Sequence, residues 1–159
     1  MSRAARAVAV LLMTAVTSVA PPAPAEVSAT GLSPMTVRAG TVSSGPVRCV
    51  KGVGGAGARR PVLHCRFIHL ELTRAVLTAD TPDGMVTVSC AHADLPGAVD
   101  ADLGSVSGRL AGLLPVRWDA ELPLPGFSAP PVALTDVTAT ADSFTVPGGR
   151  LLDAVQRRR

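Results

Sequence analysis

"LHCRFIHLEL" (Leu63–Leu72) sets a cysteine between two histidines, with a glutamate just beyond. Those residue types belong equally to a metal or catalytic cluster and to a β-strand with one wet side. The alternation of the side chains separates the two. Leu63, Cys65 and Phe67 share one face while His64 and Arg66 share the other. The phase then flips, with Ile68, Leu70 and Leu72 apolar against polar His69, Glu71 and Thr73. One slipped residue at Phe67–Ile68 is the signature of a β-bulge, which re-aims a strand without ending it. On that reading His64, Arg66, His69 and Glu71 all decorate the solvent face of a strand.

The same period of two continues outward. "TRAVLTADTPDGMVTVSC" (Thr73–Cys90) is the clearest hairpin: Pro82-Asp83-Gly84 supplies the turn, and Val86, Val88 and Cys90 alternate with Thr87 and Ser89. "AHADLPG" carries the second strand to a break expected at Pro96-Gly97, and "VDADLGSVSGRLAGLLP" reads as a loose strand or hairpin. In "VRWDAEL", Val116, Trp118, Ala120 and Leu122 face inward and Arg117, Asp119 and Glu121 outward. "PLPGFSAPP" is a stiff connector, and "VALTDVTATADSFTV" (Val132–Val146) is one long strand or two short ones. "GGRLLDAVQ" is expected to make one C-terminal helical turn. The fold class is all-β: an antiparallel sandwich or curved open β-roll of about six to eight strands.

The ends are read differently. Arg3 and Arg6 precede the apolar run Ala7–Ala20, Pro21 and Pro22 stop it, and "APA" (Ala23–Ala25) supplies small residues for a signal peptidase. Residues 1–25 are therefore expected to be a signal peptide, with no transmembrane anchor after cleavage and a secreted, extracellular or envelope-associated product. Residues 26–46, rich in Ser, Thr, Gly and Pro, read as a flexible leader in which "MTVRA" could form an edge strand. The β-domain proper is assigned to 47–150 and a basic tail to 151–159.

The formal charge of +3 comes from the ends. Without Arg3, Arg6 and Arg157–Arg159, 10 basic residues face 12 acidic ones. No clustered cations remain to displace counterions, so nucleic acid is not an expected partner. Only four aromatics occur, Phe67, Trp118, Phe127 and Phe144, too few for a stacking platform for bases or sugars.

Cys49, Cys65 and Cys90 allow one internal bridge. Cys49–Cys65 is favoured because it closes the glycine-rich "VKGVGGAGARRP" loop, worth about 3 kcal/mol in the chain-entropy model; Cys65–Cys90 is the rival. That loop lacks the Gly-Lys-Ser/Thr ending of a phosphate-binding loop. A zinc site drawn from His64, Cys65, His69, Cys90 and His92 has no recognised ligand spacing, so no metal is assigned. "GSVSG" puts Val106 where a nucleophile elbow needs serine. Ser89, His92 and Asp94 lie too far apart on one strand to converge as a triad, and Asp119 with Glu121 reads as a solvated face. No catalytic residue and no cofactor is assigned, and the chain is not expected to be an enzyme.

"TPDGMVTVSCAHADLPG" and "GLLPVRWDAELPLPG…PPVALTDVTATADSFTVPGG" resemble stretches of small secreted actinobacterial proteins of uncharacterised function. "LPLPG…VALTDVTATADSFTV" is similar to envelope lipid-binding domains of those bacteria, in which a proline-flanked connector leads into such a strand. This chain departs from them in lacking a long amphipathic helix, so an all-β groove would replace their helix-and-sheet sleeve. "TVSCAHAD" also resembles secreted subtilisin-type inhibitors, which carry two disulfides where three cysteines allow one.

The inward rows are small side chains, which taken residue by residue are expected to make a closed sandwich core but can instead leave an apolar cleft between strands. Leu70, Leu72, Val86, Val88, Trp118, Leu134 and Phe144 are the candidate lining residues. The expected function is a noncatalytic exported β-domain binding an apolar or lipid ligand or a cell-envelope component. The alternative is a structural or protein-interaction module of the envelope, of the protease-inhibitor kind.

Overall fold

The computed structural model describes residues 27–54, 59–122 and 126–159; the segment expected to be a signal peptide lies outside them. The described residues form β1 (Val27–Ser44), β2 (Val47–Gly54), β3 (Arg60–Thr81), β4 (Gly84–Leu110), β5 (Leu114–Asp119), β6 (Phe127–Ala129), β7 (Val132–Val146), β8 (Arg150–Leu152) and β9 (Val155–Arg158). Every pairing is antiparallel and all nine strands belong to one sheet. The sheet runs β5-β4-β7-β1-β3-β2-β6, and β3 pairs again with β4. The circuit β4-β7-β1-β3-β4 is thus closed by hydrogen bonds, giving a rolled sheet with an inside and an outside. The expected all-β antiparallel class is present, with nine strands among the described residues where six to eight were expected; the arrangement is a self-closing roll rather than a sandwich or an open sheet.

Closure depends on β3 and β4 bending together. Ile68 pairs with Ala98 and Leu70 with Leu95, so His69 on β3 faces both Pro96 and Gly97 on β4. His69 has φ 58° and Gly97 φ 86°. Proline has no N–H to give the ladder and glycine accepts positive φ freely, so the strand bends where the sequence suggested it would break. The bulge centres on His69, one residue later than expected. Ile68 consequently points outward and is 44% exposed, while Phe67 and Leu70 both turn inward.

A second irregularity runs across four strands. Arg74 of β3 falls opposite Gly40 of β1 and Ala91 of β4, and Gly40 falls opposite Asp136 of β7; these residues interrupt otherwise regular ladders. Arg74 and Asp136 have φ of 49° and 50°. A residue in the left-handed region breaks strict alternation. On each strand the inward side chains accordingly step by three here: Leu72 to Ala75, Ala93 to Cys90, Val42 to Ala39, Leu134 to Val137. At this crease the Arg74 guanidinium lies over Gly40, where a Cβ would fall 2.5 Å from it and push the arginine side chain aside.

Three further expectations are corrected. From Val27 onward the supposed leader is β1, hydrogen-bonded to β3 on one edge and β7 on the other, so it is no edge strand. The C-terminal helical turn and tail are instead β8 and β9, laid along β4 at His92–Asp94 and Val86–Ser89. That edge of β4 had unpaired backbone groups, and satisfying them outweighs a single helical turn. Leu122, expected to face inward, is 43% exposed beyond the end of β5.

Candidate functional site: an apolar cavity

The roll encloses a cavity of about 1200 Å³. Its size follows from the inward rows. Ala39, Ala75, Ala93, Ala101, Ala139 and Ala141 are all buried, and such short side chains cannot fill the interior of a roll this wide at normal packing density. Larger side chains stand at particular levels of the wall. Leu70, Leu95 and Val99 pack with Phe67 and Phe144 at the β3–β4 bend. Trp118 of β5 stacks on Phe127 of β6, with centroids 5.7 Å apart and planes 21° from parallel. That stack bridges two strands that share no ladder.

Of the residues expected to line a cleft, Leu70, Leu72, Val88, Trp118, Leu134 and Phe144 are in the cavity wall. Val86 is buried, at 2% exposure, but lies outside that wall. Sequence reasoning missed the contribution of β1, where Met35, Val37 and Val42 line the cavity. The alternation in "MTV" was its only signal, submerged in a Ser/Thr/Gly-rich segment. It also missed Phe127, which lies in β6 within the proline-rich connector and pairs with Cys49 of β2, and Val132 just after that connector.

Cys49 and Cys65 are direct partners across β2 and β3, and they are joined by a disulfide that forms part of the wall. The rival pairing is excluded, because Cys90 is a free, buried thiol packed against Ala39, Ala75 and Ala93. Burial pushes the Cys90 thiol pKa upward, and a backbone hydrogen bond at Ala75 opposes this only in part.

Lining residues that also reach solvent fall into two groups. Leu110, Ala111, Pro130, Pro131 and Ala133 sit at the end where β4 turns into β5 and the connector enters β7. Pro96, Gly149 and Arg150 sit along the seam between β4 and β8. Leu151, beside Arg150, faces the cavity and packs on the Cys90 cluster.

The polar side chains of the opening stretch are on the outside. His64 Nδ1 contacts Asp102, whose other oxygen accepts a hydrogen bond from Ser143 Oγ at 2.9 Å. The serine is thus bound to the carboxylate and not to the imidazole, which is the wrong order for a nucleophilic triad. Arg66 grips Asp100 through Nε at 2.8 Å and Nη2 at 3.1 Å, and that hydrogen bonding raises the guanidinium pKa. His69 Nε2 lies 3.0 Å from Glu71 and 3.3 Å from Asp94, and their ligand atoms fall within 4.8 Å of one another. The five residues weighed for zinc are not brought together, since Cys65 is oxidised and Cys90 faces inward. Asp119 Oδ1 accepts the Glu121 N–H, which with Arg117 lowers its pKa. Ser89 instead approaches the Val155 carbonyl at 3.5 Å.

Comparison of the chain with protein-family models, curated proteins and solved structures gave no match. The functional reading therefore rests on the geometry.

Proposed function

We propose that the protein is an exported, noncatalytic carrier or receptor that holds an apolar or lipid ligand inside the β-roll. The observation that carries this reading is the cavity of about 1200 Å³ with a wall made mainly of hydrocarbon side chains. It exceeds the range of about 300–1000 Å³ usual for small-molecule sites. Hydrocarbon walls recognise shape and exclude water; they neither donate nor accept protons. A ligand must therefore bring its own apolar surface. Each methylene moved from water contributes about 0.8 kcal/mol, so a dozen supply about 10 kcal/mol before ordering costs. Micromolar binding corresponds to about 8 kcal/mol after those costs are subtracted.

The two surfaces support the same reading. Ion pairs such as Arg66–Asp100 and Arg117–Asp119 stand on the outside and hydrocarbon on the inside. A membrane-spanning barrel has the opposite arrangement, apolar outward and polar within. Among the described residues no helix is long and apolar enough to cross a membrane. Export is supported by the Cys49–Cys65 bridge, a bond that persists in oxidising compartments.

The test is direct. Protein purified from a secreting host, extracted and analysed by mass spectrometry, is expected to release lipid. After delipidation it is expected to take up a fluorescent fatty acid and to yield it to unlabelled fatty acid. A delipidated protein that binds neither the probe nor any extracted lipid would return the fold to the structural or interaction-module reading.

A further inference from the structure

The bend that curves the roll also gathers three metal-ligating side chains on its outer surface. Glu71 of β3 and Asp94 of β4 are direct ladder partners, and like charges set opposite each other across a ladder are destabilising. The bulge re-aims the imidazole of His69, at φ 58°, between the two acids. Its Nε2 lies 3.0 Å from Glu71 Oε1 and 3.3 Å from Asp94 Oδ1.

Asp94 Oδ1 is the second observation. It is withdrawn from solvent and accepts no hydrogen bond, although the imidazole stands close by. A shielded acceptor without a donor is costly, and a bound ion is one way to satisfy it. Arg150 of β8 is the ladder partner of Asp94 on its other edge. Among the described residues, however, only the His69 imidazole forms an ion pair with either carboxylate.

The spacing fits a small ion. The three ligand atoms lie within 4.8 Å of one another. Ligands held about 2.0–2.2 Å from a tetrahedral zinc ion stand about 3.3–3.6 Å apart, so small side-chain movements close the set. One imidazole and two carboxylates suit Zn2+ and its transition-metal neighbours, whereas Ca2+ takes about six to eight oxygens.

We propose that His69 Nε2, Glu71 and Asp94 bind one divalent transition-metal ion of the zinc class, with solvent completing its shell. The ion fastens β3 to β4 at the bulge and neutralises the opposed acids. It thereby stabilises the bend that curves the wall around the cavity. The site stands on the outer surface and does not depend on the lipid-carrier reading.

The experiment uses the untagged secreted protein, stripped with chelator, titrated with Zn2+ by calorimetry and melted with and without it. One ion per chain is expected. The thermal midpoint should rise by about 5 °C or more when free Zn2+ is about 100 times Kd, and Ca2+ at that concentration should leave it unchanged. His69→Gly removes the imidazole where glycine accepts the positive φ. It should weaken binding by about tenfold or more and abolish the rise. Glu71→Gln should also lose the rise, yet its zinc-free midpoint should equal or exceed that of wild type because the acids no longer oppose each other. His64→Ala, at the imidazole that contacts Asp102, should bind as wild type. Absence of binding, an equal response to Ca2+, or undiminished binding in His69→Gly or Glu71→Gln overturns the proposal. So does loss of binding in His64→Ala, or a lower zinc-free midpoint in Glu71→Gln, which would make the trio a plain ion-pair cluster.

Discussion

Arg60 and Asp142, 82 positions apart, form a two-bonded ion pair, with Nε to Oδ2 at 3.0 Å and Nη2 to Oδ1 at 2.6 Å. Arg60 begins β3 and Asp142 lies in β7, the strands that flank β4 on opposite edges. The pair therefore ties the roll together across β4, at the level of the ladder irregularities around Leu103. The Asp142 side chain is 7% exposed and that of Arg60 41%. Removing the arginine leaves a nearly buried carboxylate unpaired, which costs several kcal/mol in a fully buried pair. Half-exposure of the arginine lowers the figure to about 2 kcal/mol. Arg60→Met should shift the urea midpoint accordingly, and Arg60→Lys should recover only part, because an ammonium cannot make the forked contact. A midpoint unchanged in Arg60→Met would show that the latch contributes nothing.

The Cys49–Cys65 bridge, with a sequence separation of 16, restrains the loop between β2 and β3 in the unfolded chain. Its loss should destabilise the fold by about 3 kcal/mol. Denaturation with and without reductant measures this, and Cys49→Ala/Cys65→Ala should reproduce the reduced protein. Cys90→Ala should retain full sensitivity to reductant; insensitivity would mean that the bridge lies elsewhere.

Cys90 is held neutral by burial, so its thiolate is scarce at neutral pH. Alkylation by iodoacetamide should be slower than that of glutathione by about tenfold or more, and slower still once a fatty acid fills the cavity. The sign for stability follows from the raised pKa. Above about pH 8.5 the unfolded chain releases a proton that the folded one keeps, so stability falls as pH rises through that range. Cys90→Ala should remove that part of the slope. Alkylation as fast as glutathione would refute the buried assignment.

Ala139 faces the cavity at 9% exposure. Enlarging a core side chain normally strains its neighbours, but here the added ring enters empty space. Ala139→Phe should leave the thermal midpoint unchanged or higher while weakening fatty-acid binding about tenfold. A variant that unfolds would show that the space is smaller than the structure indicates; one that binds as before would place the ligand elsewhere.

Strand after strand was legible in the chain because local alternation is written in adjacent residues. The Pro82-Asp83-Gly84 hairpin, the inward Val116 and Trp118, and a bulge within one residue of His69 all came from that signal. The role of β1 was not legible, because its weakly apolar row becomes a wall only once β3 and β7 flank it. The tail misled for a related reason: "RLLDAVQ" is short enough that the free edge of β4, and not its own propensity, chooses its state.

The candidate site divides along the same line. Which side chains are apolar, and that most are small, could be counted before any fold was known. Whether those rows would meet and fill the space, or curve away and leave it open, depends on curvature. That curvature comes from His69 against Pro96-Gly97 and from the Arg74–Gly40–Asp136 crease, where separate strands bend at one level. Pairings between residues dozens of positions apart set it, and alternation along a single strand carries no record of them.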